Sequence, residues 1–344
     1  MRFLRLLALC GVYLAVAVLV VGGLVLVDRT LNAPLELTAA EVEAGASLYV
    51  KPGTSVQKLA VQLEKRSWLN DGRVLSGYAR LTGKAAKIRA GEYRIAAGTT
   101  VPALVEQLVE GKTVQYGFTI VEGSSFRELR AQLVALPTLK QTLGAELSNE
   151  EVMAAIGFAG EHPEGQFLPE TYLFPRGFSD AELLKRAHSA MQLVLEKAWQ
   201  NRAPGLPYAN AYEALIMASI VEKETGQAFE RPQIAGVFVR RLRRGMKLQT
   251  DPTVIYGMGL NYDGNIRRAD LRRPTAYNTY TIAAMPPTPI AMPGKAAIEA
   301  ALNPADGNTL YFVSRNDGTH VFSATLQEHE CNVDVYQRGK SRRC

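Results

Sequence analysis

The chain has 344 residues, 47% hydrophobic and 21% charged, so it is long enough for two domains and apolar enough to bury their cores. Its net charge of +6 is mild, and without a zinc finger, an RNP motif or a long basic run the sequence does not indicate a nucleic-acid-binding protein. The cysteines form no C-x-x-C pair and the histidines show no metal-ligand spacing, so we expect neither a metal site nor a cofactor.

The first predicted element is a membrane-spanning helix. Residues 6–27 carry no charged side chain, and as a helix they would extend about 33 Å, enough to cross the apolar layer of a bilayer. The run exceeds the about 7–15 residues of a signal-peptide core, and no A-x-A-like site follows closely, which favours a retained anchor over a cleaved signal. Because Arg2 and Arg5 precede the run, residues 1–5 are predicted to be cytoplasmic and the rest of the chain to lie outside.

Residues 28–45 resemble a linker, and after them one pattern occurs three times. Each copy has alternating apolar residues, a glycine (Gly53, Gly98 or Gly123), two Ser or Thr residues, and two leucines four positions apart. The alternation predicts a short strand, the glycine a tight turn, the hydroxyl residue a helix N-cap and the leucines one helix face. Each copy is therefore predicted to be a strand–turn–helix unit.

The first two copies, with a helical pattern at about 73–82 between them, predict a small domain over 46–115. This domain could be a structural spacer or a small carbohydrate-binding module, and its own residues do not decide between the two. Ser55 and Lys58 match the S-x-x-K pattern of penicillin-interacting acyltransferases, but the other copies lack the lysine and no K-T-G motif follows. Ser55 is therefore interpreted as a helix cap.

The most informative stretch is a predicted helix over 212–226, with Asn210 as its N-cap and Gly226 as its stop. At about 100° per residue, Glu224 falls within an apolar stripe, whereas Glu222 points to the opposite, solvent side. A carboxyl group on a buried helix face loses hydration, so its pKa should rise and it could donate a proton near neutral pH. Glu222 should stay ionised and do little chemistry. The alternative for Glu224 is an ordinary helix end that pairs with a buried arginine.

Three later segments, 248–257, 277–280 and 285–294, combine polar side chains with Pro, Gly or aromatic residues, after a long helical pattern over about 180–199. Their Tyr, Asn, Thr and Gln side chains could hydrogen-bond sugar hydroxyls, but Asn and Asp also favour plain turns. Near the C-terminus, Cys331 and Cys344 could pair in an oxidising compartment, although two cysteines leave this open. The basic cluster at 338–343 is interpreted as a solvated tail.

Together, these segments closely resemble the endolytic murein transglycosylases (the MltG or YceG-like family). The resemblance rests on the order and spacing of residues 219–225, 248–257 and 277–280, and the ten-residue run from Leu248 makes it specific. Shorter matches support it, and the likeness covers nearly the whole chain beyond the anchor. The shorter matches are residues 51–53, 121–123 and 168–172.

The resemblance implies an α+β fold with a LysM-like domain over 46–115 and a catalytic domain over 116–344 in the periplasm. It implies one catalytic carboxyl group, Glu224, which cuts the bond between N-acetylmuramic acid and N-acetylglucosamine in nascent peptidoglycan strands and leaves a 1,6-anhydro end. The partners implied are glycan strands and the inner membrane, with peptidoglycan synthases left open. Residues of the matching loops are the candidates for binding the sugar: Gln249, Asp251, Tyr256, Tyr277, Asn278 and Tyr280.

Two other functions stay open. A hydrolytic muramidase would use Asp251 as a second carboxylate, as hydrolysing glycosidases normally do. A non-catalytic scaffold would bind peptidoglycan through residues 46–115 and recruit cell-wall synthases. A desolvated Glu224 argues against the scaffold, because a binding protein gains nothing from a buried acid.

Overall fold

The computed structural model describes residues 2–341 and 344, and within the first helix it describes side chains from residue 13 onward. In this part of the chain, helices and short strands are mixed, which confirms the predicted α+β class. The chain folds as two compact units, described separately below. Four arginines that carried predictions lie outside the described residues or side chains: Arg2, Arg5, Arg342 and Arg343.

The first unit comprises Met1–Tyr116 and Phe174–Arg176. It begins with a long apolar helix, within which Tyr13–Asn32 has a mean hydropathy of 2.1 and is not buried at all. Length and composition suit a membrane anchor or a signal sequence. The elements of the first unit are α1 Arg2–Asn32, α2 Ala39–Ala44, β1 Ser47–Val50, α3 Val56–Lys65, α4 Gly72–Leu81, a 3-10 turn Ala85–Lys87, β2 Gly91–Arg94 and α5 Val101–Glu110.

Strands β1 and β2 pair antiparallel, with Leu48 opposite Tyr93, and helices α3, α4 and α5 cover them with one apolar core. The hydroxyl of Ser55 accepts a hydrogen bond from the backbone N–H of Lys58 at 3.3 Å, which confirms Ser55 as the cap of α3. Gly53 has a φ of 74°, in the left-handed region that glycine enters without strain. The strand–turn–helix interpretation of the first two copies is therefore confirmed.

The second unit comprises Gly117–Leu173 and Gly177–Cys344. The third copy again forms a strand and a helix, and Ser125 and Glu128 make the capping box of α6. The elements from β3 onward are β3 Gln115–Thr119, α6 Phe126–Val134, α7 Asn149–Ala155, β4 Thr171–Pro175, α8 Asp180–Gln200, α9 Ala211–Glu224, α10 Arg231–Arg243, α11 Asp251–Met258, a 3-10 turn Gly259–Asn261, α12 Arg268–Arg272, α13 Lys295–Leu302, β5 Tyr311–Ser314, β6 His320–Ser323 and α14 Leu326–Tyr336.

Helix α9 lies at the centre of the second unit. It packs against α8, α10, α11 and α13, and every residue from position 214 to position 221 is buried. A helix that is apolar on all sides is one that other elements surround, so it has no solvent face over this stretch. The long helix predicted over 180–199 is confirmed as α8, which is one of the neighbours of α9. Strands β5 and β6 form an antiparallel hairpin, and α14 packs against it.

Candidate active site

The end of α9 places the carboxyl group of Glu224. The helix begins at the predicted cap, where the side chain of Asn210 accepts a hydrogen bond from the N–H of Glu213 at 3.0 Å. It ends at Glu224, two residues before the predicted stop at Gly226, because the backbone of Thr225 is extended (φ −146°, ψ 134°). Glu224 is thus the last helical residue, where the helix dipole disfavours a negative charge.

A hydrogen-bonded turn holds this helix end. The hydroxyl of Thr225 donates to the Oε2 of Glu230 at 3.2 Å, and it accepts from the N–H of Gln227 at 2.9 Å. Glu230 in turn accepts from the backbone N–H of His320 at 2.8 Å and lies 2.8 Å from the Nδ1 of the same residue. Hairpin β5–β6 therefore fixes the segment that follows Glu224.

Glu224 is half-buried and lines a cavity of about 380 Å³. The hydroxyl of Thr250 donates a hydrogen bond to its Oε1 atom. Burial raises the pKa of Glu224 to about 7; the charge of Asp251 acts in the same direction, whereas the bond from Thr250 and the cation Arg241 oppose it. Near neutral pH the acid and its conjugate base are therefore both populated, which is the condition for an acid–base catalyst.

Arg241 is the buried cation beside this cavity, and it is only 7% exposed. Its guanidinium donates to the carbonyls of Leu310 at 2.6 Å and Leu248 at 2.8 Å, and to the Oε1 of Gln249 at 3.2 Å. Within the described part of the chain, no ion pair within 4.0 Å involves Glu224. The alternative in which Glu224 merely neutralises a buried arginine is therefore not the arrangement found.

Three of the predicted sugar-binding residues line the same cavity as Glu224: Gln249, Asp251 and Tyr280. The phenol of Tyr280 donates to the Oδ1 of Asp251 at 2.6 Å. Gln249 has a φ of 54°, a left-handed conformation that costs a residue with a Cβ atom about 1–3 kcal/mol unless its surroundings impose it. The backbone N–H of Gln249 donates to the carbonyl of Thr279 at 3.2 Å, which helps to hold that conformation.

Sequence reasoning missed Thr250, although it lies inside the ten-residue run. Thr250 occupies the N-cap position of α11, yet its hydroxyl turns to Glu224. Its backbone N–H donates to the Oγ1 of Thr279 at 3.0 Å, and that atom lies 2.9 Å from the Oγ1 of Thr253. All three threonines are buried, so they form a fixed support for the catalytic candidate. The signal in the sequence was a threonine directly before Asp-Pro at a helix start.

The other three predicted sugar-binding residues do not line the Glu224 cavity. Tyr256 donates to the Oε2 of Glu164 at 3.0 Å and lines a different cavity. Tyr277 packs on the ring of Tyr256 with centroids 4.9 Å apart. Asn278 is 1% exposed, and its amide nitrogen donates to three backbone carbonyls. The first two residues form an aromatic pair, and Asn278 braces the loop that carries Tyr280.

In the described part of the chain, no group of three or more His, Cys, Asp or Glu side chains could hold a metal ion.

Residues 48–335 match the YceG-like family. The chain belongs to this family. The resemblance identified from the motifs is therefore confirmed over most of the chain.

Relatives and a solved structure agree with the family. The endolytic murein transglycosylase of Bacillus subtilis is 28% identical over 94% of this chain and 93% of its own length. The protein of the same name from Streptococcus pneumoniae serotype 2 is 27% identical over 87% of this chain and 60% of its own length. The crystal structure of a yceG-like protein from Listeria monocytogenes, 28% identical, aligns with a TM-score of 0.54 over 83% of this chain and 97% of that one.

In this YceG-like protein, the prediction that Glu222 faces solvent is wrong. Its side chain is 6% exposed, lies 3.5 Å from the guanidinium of Arg231 and accepts a hydrogen bond from the N–H of Gly294 at 2.9 Å. Burial raises the pKa of Glu222, and the bond from Gly294 and the charge of Arg231 oppose that rise. The helical-wheel argument failed because α9 is surrounded, so the side opposite Glu224 is also an interior side.

We expect Arg231→Met to lower the free energy of unfolding by about 2–4 kcal/mol, because it leaves Glu222 buried without its cation. The loss should be larger at pH 8 than at pH 5, since protonation of Glu222 at the lower pH removes its uncompensated charge. Urea denaturation at both pH values measures it. The double variant Arg231→Met/Glu222→Gln should recover part of the loss; equal losses in the single and double variants would contradict the pairing.

Another buried carboxyl group, Glu164, was not found from the sequence of this family member. It is 4% exposed, and burial raises its pKa to about 7 against the hydrogen bonds from Phe126 and Tyr256. Its Oε1 accepts from the N–H of Phe126 at 2.9 Å. Glu164 lies in a loop without periodicity, so no local pattern marked it. Its partners are 38 and 92 residues away along the chain.

Proposed function

We propose that the protein is a membrane-anchored lytic transglycosylase that cuts peptidoglycan strands internally, between N-acetylmuramic acid and N-acetylglucosamine. One observation carries the proposal: Glu224 lies half-buried beside an open cavity, held by Thr250, with a pKa raised to about 7. Membership of the YceG-like family and relatives named endolytic murein transglycosylase support the choice of substrate.

The mechanism follows from one carboxyl group. Neutral Glu224 gives its proton to the bridging oxygen, the bond from that oxygen to C1 of the muramic residue breaks, and positive charge develops at C1. The ionised Glu224 then takes the proton of the C6 hydroxyl of the same sugar, and the C6 oxygen bonds to C1. The products are a 1,6-anhydro end and a free hydroxyl on the leaving sugar, and no water is consumed.

This reaction needs no second catalytic carboxylate, because its nucleophile is already part of the sugar. A tethered nucleophile has a large proximity advantage, with effective molarities of about 10⁵–10⁸ M in well-oriented cases. Because Thr250 donates to Oε1, the proton that is transferred sits on Oε2. Burial of Arg241 and Glu224 in one wall makes the site less hydrated than bulk water, which strengthens the electrostatic effect on the developing charge.

A hydrolytic muramidase is the second candidate, because Asp251 lines the cavity that Glu224 lines. Hydrolysing glycosidases use such a second carboxylate as a nucleophile or to activate water. In this structure, Asp251 already accepts a short hydrogen bond from Tyr280 at 2.6 Å. That bond lowers the nucleophilicity of the carboxylate, which favours the transglycosylase.

We expect the products released from purified sacculi to carry 1,6-anhydro ends, which mass spectrometry can detect. The physical reason is that the C6 hydroxyl and not water supplies the oxygen. Products heavier by one water, with reducing ends, would replace the proposal with the hydrolase. Glycan strands released from the middle of long chains, and not only disaccharides from the ends, would establish internal cutting.

The proposal also covers the location of the protein in the cell. The apolar helix α1 is proposed to be a retained anchor, with the N-terminus in the cytoplasm and the catalytic part in the periplasm. The disulfide between Cys331 and Cys344, with Cα atoms 5.6 Å apart, suits an oxidising compartment. Residues 46–115 are proposed to be a LysM-like module that binds the glycan, and peptidoglycan synthases are the proposed partners.

A further inference from the structure

A larger cavity, of about 610 Å³, adjoins the site but shares no lining residue with the Glu224 cavity. Consecutive residues divide between the two: Lys223 lines the larger cavity and Glu224 the smaller, and Pro252 lines the larger and Asp251 the smaller. The end of α9 and the start of α11 therefore separate two neighbouring spaces within the second unit.

Glu164 and Tyr256 form one polar part of the wall of the larger cavity. Glu164 has no ion pair among the described residues, and its hydrogen bonds come from the N–H of Phe126 and the phenol of Tyr256. A buried carboxyl group without a cation is costly unless hydrogen bonds satisfy it. The phenol donates its proton to Glu164 and also hydrogen-bonds Thr288, which leaves one lone pair of its oxygen to accept from a ligand hydroxyl or amide N–H.

Another part of the cavity wall is apolar or aromatic and includes Pro163, Pro252, Ile255 and Tyr262. Asn149 and His162 add further polar groups to the lining. Flat apolar or aromatic surfaces beside a few fixed polar groups are the usual composition of small-molecule sites, and this volume is within the usual range of about 300–1,000 Å³. Such walls fit the face of a sugar ring and the methyl group of an N-acetyl substituent.

The rim of the cavity carries excess positive charge. Arg127 and Lys223 are both exposed there, and no ion pair within 4.0 Å in the described part of the chain involves either of them. The exposed acid Glu128 accepts hydrogen bonds from the N–H and hydroxyl of Ser125, which lower its pKa, and the charges of Lys223 and Arg127 act in the same direction. Two cations therefore stand against one exposed acid at the rim, which leaves a net positive charge there. An occupant with a carboxylate would therefore be favoured at the rim over a neutral one.

We propose that this cavity is a second saccharide subsite, which takes an N-acetyl sugar carrying a carboxylate on its substituent. The ring packs on the proline and tyrosine wall, a hydroxyl or amide of the ligand donates to Tyr256, and the carboxylate meets Arg127 and Lys223. In peptidoglycan this carboxylate belongs either to the lactyl group of muramic acid or to a peptide attached to it. The inference rests on the proposed function for the nature of the polymer, and it adds a site that selects an acidic sugar beyond the cleavage point.

The test measures binding in the Glu224→Gln background, where no cleavage interferes. The probes are the N-acetylglucosamine–N-acetylmuramic acid disaccharide, the same disaccharide with its peptide, and neutral chitobiose. Arg127→Gln should weaken both acidic probes about threefold and leave chitobiose unchanged, as expected for one exposed charge. Tyr256→Phe should weaken all three probes by about fivefold or more, because it removes the acceptor for the ligand and also the phenol that donates to Glu164. Arg244→Gln, at an exposed arginine that lines neither cavity, is the matched control.

Calorimetric titration distinguishes the outcomes. Tighter binding of the free disaccharide assigns the rim to the lactyl carboxylate, and tighter binding of the peptide form assigns it to the peptide. Chitobiose binding as tightly as both acidic probes, or an Arg127→Gln variant that behaves like Arg244→Gln, overturns the subsite. Failure of the acidic probes to bind also overturns it. The proposed function is tested apart, by anhydro ends from the unmodified protein, so one can fail while the other stands.

Discussion

Glu224→Gln is expected to abolish glycan cleavage while leaving the chain folded. Glutamine keeps the shape of the side chain and can still accept the hydrogen bond from Thr250, but it cannot give or take the proton. General acid–base catalysis contributes about 10²–10⁴-fold to a rate, and here a single group acts in both steps, so the loss should lie at or above the top of that range. Release of soluble muropeptides from purified sacculi measures it.

A matched control separates catalysis from general damage. Glu196 lies exposed on α8, lines neither cavity, and Glu196→Gln makes the same chemical change without touching the site. We expect its activity to equal that of the unmodified protein. If Glu224→Gln retained near-normal cleavage, the assignment of Glu224 would be wrong, and Asp251 would become the first residue to examine.

The same substitution should change stability in a direction that depends on pH. The pKa of Glu224 is raised from an ordinary value near 4.5 to about 7 by burial. The folded state therefore holds the proton more tightly than the unfolded state, and stability is lost as pH rises from 4.5 through 7. Above pH 7, the free energy of unfolding of Glu224→Gln should exceed that of the unmodified protein by about 1–3 kcal/mol. At pH 4 this difference should vanish. A variant that is inactive yet more stable cannot be explained by misfolding.

Local patterns predicted the local elements well. The caps at Ser55, Ser125 and Asn210 could be read directly, because a hydroxyl or amide next to the first turn satisfies free N–H groups within four residues. The rise in the pKa of Glu224 also followed from its helix face, since burial of that face was predicted from its apolar neighbours. These features depend on residues close together in the chain.

The features that were missed depend on distant residues. Glu222 looked exposed because a helical wheel assumes one solvent side, whereas α9 has neighbours all round and Arg231 meets it from the next helix. Glu164 acquires its environment from Phe126 and Tyr256, which no local periodicity relates to it. Tertiary packing, and not local propensity, decides the burial and ionisation of such groups.

Thr250→Val should lower the cleavage rate and move its pH dependence upward. Cleavage requires protonated Glu224, so activity falls as pH rises through the pKa of that group, about 7. The hydrogen bond from Thr250 stabilises the ionised carboxylate and lowers this pKa, so without the hydroxyl the pKa rises and the alkaline limb moves to higher pH. The maximal rate should fall by about 10- to 100-fold, because the carboxyl group loses the contact that orients it.

Thr250→Ser is the control, because it keeps the hydroxyl and removes only a methyl group from a buried position. Its alkaline limb should stay within experimental error of the unmodified protein, and the lost packing should lower its rate only modestly. A pH–rate profile of kcat/KM for the three proteins decides the matter. A limb that stays in place in Thr250→Val, or that moves to lower pH, would show that Thr250 does not control the ionisation of Glu224. A fall in rate alone, without the shift, would reduce Thr250 to a packing residue, since only loss of the donated hydrogen bond changes the pKa in this direction.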